Sequence, residues 1–233
     1  MKEEESSNNH PSSLKRKYGL KIQAKEEELS DIDKSGNNQN EILEYKILVI
    51  GDNLTGKTSF CRKFALNEFD LEIKPSIETN CFLRTVQLFD KEIKVYLLDI
   101  ETIPFSPMDK EEEFELYKDS KGIIVIYDLT NYATFEKIEK FIKSAKDKGK
   151  LENNIPIILL GNKKDLKFLR NIDFAEAKEK AKYLGYELFE INCNQEEEIV
   201  FNVIKNLIAK IYFNGLSEEE KKEIIKEANE NLE

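Results

Sequence analysis

The sequence is poor in the residues on which much enzyme chemistry depends. It holds a single histidine, His10, in a polar leader. A histidine-based triad and a histidine zinc site are therefore excluded. Its three cysteines, Cys61, Cys81 and Cys193, lie far apart and form no Cys-x-x-Cys pair. Reduced core thiols are expected, not disulfides or metal ligands. No apolar run approaches the ~18 residues of a membrane span. The N-terminus Met1-Lys2-Glu3-Glu4-Glu5 lacks a signal peptide's apolar core, and Lys2 stands where myristoylation needs glycine. The last cysteine is Cys193, so neither a C-terminal prenyl anchor nor membrane insertion is expected. A cytoplasmic location follows, with any membrane contact made through partners. Basic charge is short as well: 36 Lys and Arg stand against 46 Asp and Glu, a net charge of −10. Nucleic-acid binding needs clustered cations, so no such partner is expected.

What is present is one short pattern with strong chemistry. Gly51-Asp52-Asn53-Leu54-Thr55-Gly56-Lys57-Thr58 reads Gly, four residues, Gly, Lys, Thr. The glycines let the backbone turn tightly, so that successive N–H groups form an anion nest. Lys57 supplies a cation for outer phosphates, and the Thr58 hydroxyl can ligate Mg²⁺. The flanks suit the motif. Residues 45–50 are apolar and β-branched, as in a buried strand. From Ser59 the pattern is helical, and a helix N-terminus favours phosphate. The expected phosphate site therefore comprises Gly51 to Thr58 together with Ser59.

The 233 residues, 40% of them hydrophobic, suffice for one core with tails. Residues 1–43 mix Glu, Ser, Asn and Lys with few large apolar side chains, so disorder or a loose helix is expected there. Runs at 81–88 and 92–99, joined by Phe89-Asp90-Lys91, read as a hairpin. Continuous apolar runs at 122–128 and 155–161 read as buried strands, and 187–192 as a last strand. Helical periodicity marks 131–148, 173–184 and 195–213, with a short acidic helix near 108–117. Alternating strands and helices imply an α/β domain with six strands. The sheet is mostly parallel with one antiparallel strand, and helices lie on both faces. A capping box at Ser217-Glu218-Glu219-Glu220 opens a charged C-terminal helix, docked loosely or free. The domain is expected over 44–213, with a tail from 214 to 233.

A second motif, Asn162-Lys163-Lys164-Asp165, follows a buried strand directly. An aspartate there can accept hydrogen bonds from guanine N1–H and the exocyclic amine, which adenine does not offer in that geometry. The motif stands at the carboxyl end of a strand, where open sheets bind ligands.

On these two motifs the chain resembles the Ras superfamily of small GTPases, most like its Rab and Ras branches, from about Tyr45 to Phe213. The resemblance implies a P-loop NTPase fold binding GTP or GDP with Mg²⁺. It implies effector and regulator proteins as partners, which the sequence does not identify, and a monomer. It places Phe69 where the family stacks an aromatic on guanine, and Ser76 where a switch residue senses the metal. Asp99, ending the run Leu97-Leu98-Asp99, takes the place of the Mg²⁺-associated aspartate. Metal ligands are thus expected at Thr58, Ser76 and Asp99. The base is expected against Phe69, Asn162, Lys163, Asp165 and the stretch Asn192-Cys193-Asn194. Lys57 is the expected catalytic cation.

The chain departs from the family at three places. After the metal aspartate the family continues Asp-x-x-Gly-Gln. Here the sequence is Asp99-Ile100-Glu101-Thr102-Ile103-Pro104, so Thr102 replaces the glycine and Ile103 the water-orienting glutamine. Asn53 puts a side chain where an inserted arginine would pass. Asn192-Cys193-Asn194 replaces Ser-Ala-Lys, a change expected to cost ~1–2 kcal/mol of base affinity. Two functions stay open: a GTP/GDP switch with slow hydrolysis, or an inert GTPase-like binding module held in one nucleotide state.

Overall fold

The computed structural model describes residues 22–25, 42–69, 79–88, 91–101, 109–194 and 197–230. In chain order the strands are β1 (Ile22–Gln23), β2 (Leu43–Ile50), β3 (Asn80–Leu88), β4 (Lys91–Asp99), β5 (Gly122–Asp128), β6 (Ile157–Asn162) and β7 (Glu187–Glu190). The helices are α1 (Lys57–Leu66), α2 (Lys110–Tyr117), α3 (Tyr132–Glu136), α4 (Ile138–Gly149), α5 (Phe174–Leu184), α6 (Glu197–Gly215) and α7 (Glu218–Glu230), with a 3₁₀ turn at Lys167–Leu169.

The strands form one sheet in the order β1-β3-β4-β2-β5-β6-β7. Only β3 with β4 is antiparallel; every other neighbouring pair is parallel. Strand alternation divides the core in two. Leu48, Ile50, Ile123, Val125 and Leu159 face one layer, covered by α2 to α5 through Leu116, Phe135, Ile138, Ile142 and Ala177. Their neighbours Ile47, Val49, Ile124, Ile126 and Ile158 face the other layer, covered by α1 and α6 through Phe60, Phe64, Val203 and Leu207. Both faces of β5 are buried along its whole length, which is why its run is continuously apolar. Among the described residues no helix is long and apolar enough to cross a membrane.

Two expectations need correction. Among the described residues the sheet has seven strands, not six, because Ile22–Gln23 pairs in parallel with Cys81 and Phe82. Two residues carry no periodicity, and the pairing follows from the open edge of β3. This places part of the polar 1–43 extension on the domain. The single helix expected over 131–148 is two helices that meet at Lys137. The Thr134 hydroxyl donates to the Asn131 carbonyl at 2.7 Å and accepts from the Asp128 N–H at 3.0 Å. These local bonds hold the first turn to the end of β5 instead of letting it run on. The β3–β4 pairing matches the expected hairpin, although Phe89 and Asp90 lie outside the described residues. The capping box at Ser217 is formed, with its N–H 2.7 Å from Glu220 Oε2 and its hydroxyl accepting from the Glu220 N–H at 3.3 Å. All three cysteines are buried, and none is in a disulfide.

Lys46, on β2, donates to the Lys118 carbonyl at 2.8 Å, just past the end of α2. Burial lowers its ammonium from 10.5 to about 8, with Asp119 opposing the change. Below about 8 the residue is charged in both the folded and the unfolded chain, and the burial cost is fully present. As pH rises from about 8 towards 10.5, the folded chain releases its proton first and that cost fades. Stability should therefore rise by about 2 kcal/mol between pH 7 and 10 relative to Lys46→Met. Paired urea melts of the two proteins across that range check the slope.

Candidate nucleotide site

The carboxyl ends of β2, β4, β5 and β6 meet on one edge of the sheet, and the conspicuous polar residues gather there. Register sets Val49 opposite Asp99 and Asp128 opposite Asn162. After Ile50 the chain turns through a loop with three left-handed residues, Gly51, Leu54 and Gly56, at φ 144, 64 and 96°. Leu54 holds that conformation without a glycine's freedom, at a cost of ~1 kcal/mol. The Thr55 hydroxyl donates to the Asp52 carbonyl at 2.9 Å, and Lys57 Nζ donates to the same oxygen at 3.1 Å. Lys57 and Thr55 are buried, whereas Asn53 and Leu54 are exposed. The loop is thus closed on itself with its ammonium held inside the ring, and α1 begins at Lys57 with no side-chain cap. Its first N–H groups are left to an anion.

Thr58 and Asp99 meet beside the loop. The Thr58 hydroxyl donates to Asp99 Oδ2 at 2.6 Å. Asp99 is buried, and its Oδ1 has no hydrogen-bond partner. Burial pushes its carboxyl up to about 6; Glu101 adds to the rise, while the Thr58 hydroxyl and the Lys57 ammonium pull against it. A hydroxyl and a carboxylate with one uncommitted buried oxygen are hard donors of the kind Mg²⁺ takes. The residues present therefore fit the metal.

Asn162 joins three segments. Its Nδ2 donates to the Thr55 carbonyl at 2.9 Å, and its Oδ1 accepts from the Cys193 N–H at 3.4 Å. Asn192 and Cys193 are buried, Asn194 is exposed, and Asn192 Oδ1 accepts from the Asn194 N–H at 3.0 Å. Lys163, in the left-handed region at φ 67°, donates to Asp128 Oδ2 at 2.6 Å. Asp165 is exposed. Phe69 is partly buried against the α1–α6 core layer. The structure therefore brings together the loop, Thr58, Asp99, Asn162, Lys163 and the 192–194 turn. Ser76, Thr102 and Ile103 lie outside the described residues.

Two contributors escaped sequence reasoning. Lys137, at the joint of α3 and α4, pairs with Asp52 Oδ2 and so ties the phosphate loop to that helix pair. Asp128 holds Lys163 through one oxygen and the Thr130 N–H and hydroxyl through the other. Asp128 ends an apolar strand at the ligand edge, a position that could have flagged it. No signal marked Lys137, since a lysine at a helix start reads as a solvated charge.

A mostly parallel sheet with helices on both faces and a Gly-x₄-Gly-Lys-Thr loop at its carboxyl edge is a P-loop nucleotide-binding domain. Residues 46–213 match the Ras family. Rab11B, a Ras-related protein of Nicotiana tabacum, is 32% identical over 139 residues, which cover 58% of this chain and 59% of that protein. The Ras-related protein Rab-11A of Dictyostelium discoideum is 30% identical over 173 residues, covering 72% of this chain and 76% of the relative. The Ras-related protein YPTC6 of Chlamydomonas reinhardtii is 30% identical over the same length, covering 72% and 75%. The chain belongs to the Ras family, as a Rab-like small GTPase.

Proposed function

We propose that this chain binds GTP and GDP with Mg²⁺ as a molecular switch with slow intrinsic hydrolysis, serving intracellular signalling or vesicle trafficking. The observation that carries the reading is the tie made by Asn162, which stands just before Asp165 in the chain and joins the phosphate loop to the 192–194 turn. Such a tie aligns a base site with a phosphate site on one ligand. Asp165 then selects guanine, and the Cys193 backbone closes the far side of the base.

Thr58 and Asp99 would hold the metal, which when bound offsets charge on the outer phosphates. On triphosphate binding, Lys57 exchanges the Asp52 carbonyl for phosphate oxygens. The loop N–H groups and the first turn of α1 cradle the remaining charge. Water attacking the γ-phosphorus displaces GDP and yields phosphate and a proton. Lys57 stabilises the charge growing on the departing oxygen. The side chain that would aim the water is Ile103, which has no polar atom, and losing a positioned group of that kind costs on the order of 100-fold. Single-turnover hydrolysis of GTP on the purified protein should be at least about 10-fold slower than in family members that carry glutamine there. A rate typical of those members would defeat the slow-switch reading. Retained GTP with no measurable turnover would favour the inert binding module that Thr102-Ile103 also permits, with effector and regulator proteins as its partners. Neither reading calls for a second copy of the chain.

A further inference from the structure

Within the polar N-terminal extension, residues 22–25 return to the domain at a particular place. Ile22 pairs with Cys81 and Gln23 with Phe82, in parallel, on the outer edge of β3. Ile22 and Ala24 pack against the core layer that α2 to α5 cover. The Gln23 side-chain amide donates to Asn80 Oδ1 at 3.2 Å. Asn80 is in turn the β3 residue in register with Asp99 on β4, and Asp99 accepts from Thr58 at 2.6 Å. A short path of backbone pairing and hydrogen bonds therefore runs from the extension to the metal end of the nucleotide site.

The edge that β1 covers is one that needs covering. An outer strand shows a row of N–H and C=O groups that another chain can pair with. β3 is held on its inner side by nine register pairs with β4, whereas the described residues of β1 supply two on the outer side. Two pairs and one side-chain bond make a contact that fixes the end of β3 nearest the site, and a longer strand can displace it.

We infer that residues 22–24 form a detachable intramolecular strand that closes the β3 edge and steadies the Asn80–Asp99 pair. In place, the strand slows nucleotide release and blocks strand addition at that edge. Displaced, it loosens the site and opens the edge to an extended peptide. The effect on nucleotide release rests on the GTP-binding reading; the strand itself does not.

The test uses the full chain carrying Ile22→Asp and Gln23→Ala together, with Gln23→Ala alone as a second variant. Both residues are only half-buried at the sheet's edge, so folding should persist. Hydrogen exchange is read first. The double variant should speed exchange of the amides of residues 80–83 at least about tenfold, as edge pairing and its packing are lost, while β5 and β6 keep their protection. Unchanged exchange at 80–83 would overturn the strand. Release of a fluorescent GDP analogue is read second. It should quicken about three- to tenfold in the double variant and less in Gln23→Ala. Faster exchange with unchanged release would overturn the coupling to the site. Failure to bind the analogue at all would count against the GTP-binding reading, and the exchange result would still stand.

Discussion

Asp165→Asn is expected to weaken binding of guanine nucleotides by about 10²- to 10³-fold while leaving the fold intact. In the proposed site the carboxylate would offer two acceptors to the two N–H donors of guanine. Each such charge-assisted bond is worth about 1.5–3 kcal/mol. The asparagine amide keeps one acceptor and turns a donor towards the guanine amine, so one bond is lost and two donors meet. A total of about 3–4 kcal/mol converts to the stated range. Asp165 is exposed, so the core does not feel the change, and the bonds from Asn162 to Thr55 and Cys193 do not involve it. A xanthine nucleotide, with a carbonyl in place of the amine, should gain what guanine loses, because it accepts from the new amide. Titration of wild type and variant with GDP and with the xanthine analogue decides it; equal GDP affinity would remove Asp165 from the base.

The parts of the site that could be read from sequence are those whose chemistry fixes their spacing. The phosphate loop must turn on glycine at Gly51 and Gly56, and both sit at positive φ. Asn162 could be placed because it ends an apolar strand, and strand ends on one edge of a parallel sheet share a ligand; Asp99 also ends a strand, and the family resemblance gave it its metal role. The supporting partners are different. Asp128 reaches Lys163, and Lys137 reaches Asp52, across 35 and 85 positions of chain. The long lysine side chains, with free choice of rotamer, leave no pattern for such pairings, although the strand-end position of Asp128 could have marked that residue. The same contrast holds for the fold. β5 declares itself by an unbroken apolar run, and α7 by its capping box, where the Ser217 hydroxyl accepts from the Glu220 N–H at 3.3 Å. β1 does not, because an edge strand of two residues is chosen by the surface it lands on.

Alanine at Gly51 and at Gly56 should separate the fold from the site, although both positions have φ in the left-handed region. At Gly51 the new Cβ would stand 2.1 Å from the Ile126 carbonyl oxygen. That oxygen belongs to the backbone of β5, buried on both faces, and it cannot retreat without dragging the central strand. At Gly56 the Cβ would stand 2.1 Å from Asn162 Nδ2. That atom ends a side chain that can swing away. Gly51→Ala should therefore cost about 3–5 kcal/mol of stability, from overpacking and an unfavourable φ. For a domain of this size that lowers Tm by about 10 °C or more. Gly56→Ala should lower Tm by only a few degrees, since the φ penalty is about 1–2 kcal/mol. Its greater effect falls on binding. When Asn162 swings, the bond to the Thr55 carbonyl is lost, and the loop and the base-side turn no longer share a clamp, so GDP affinity should drop about 10- to 100-fold. Thermal melts and GDP titrations of the two variants, run side by side, distinguish the cases. If Gly51→Ala melts with the wild type, the close approach of the loop to β5 is wrong. If Gly56→Ala binds GDP normally, Asn162 is not what holds the two halves of the site together.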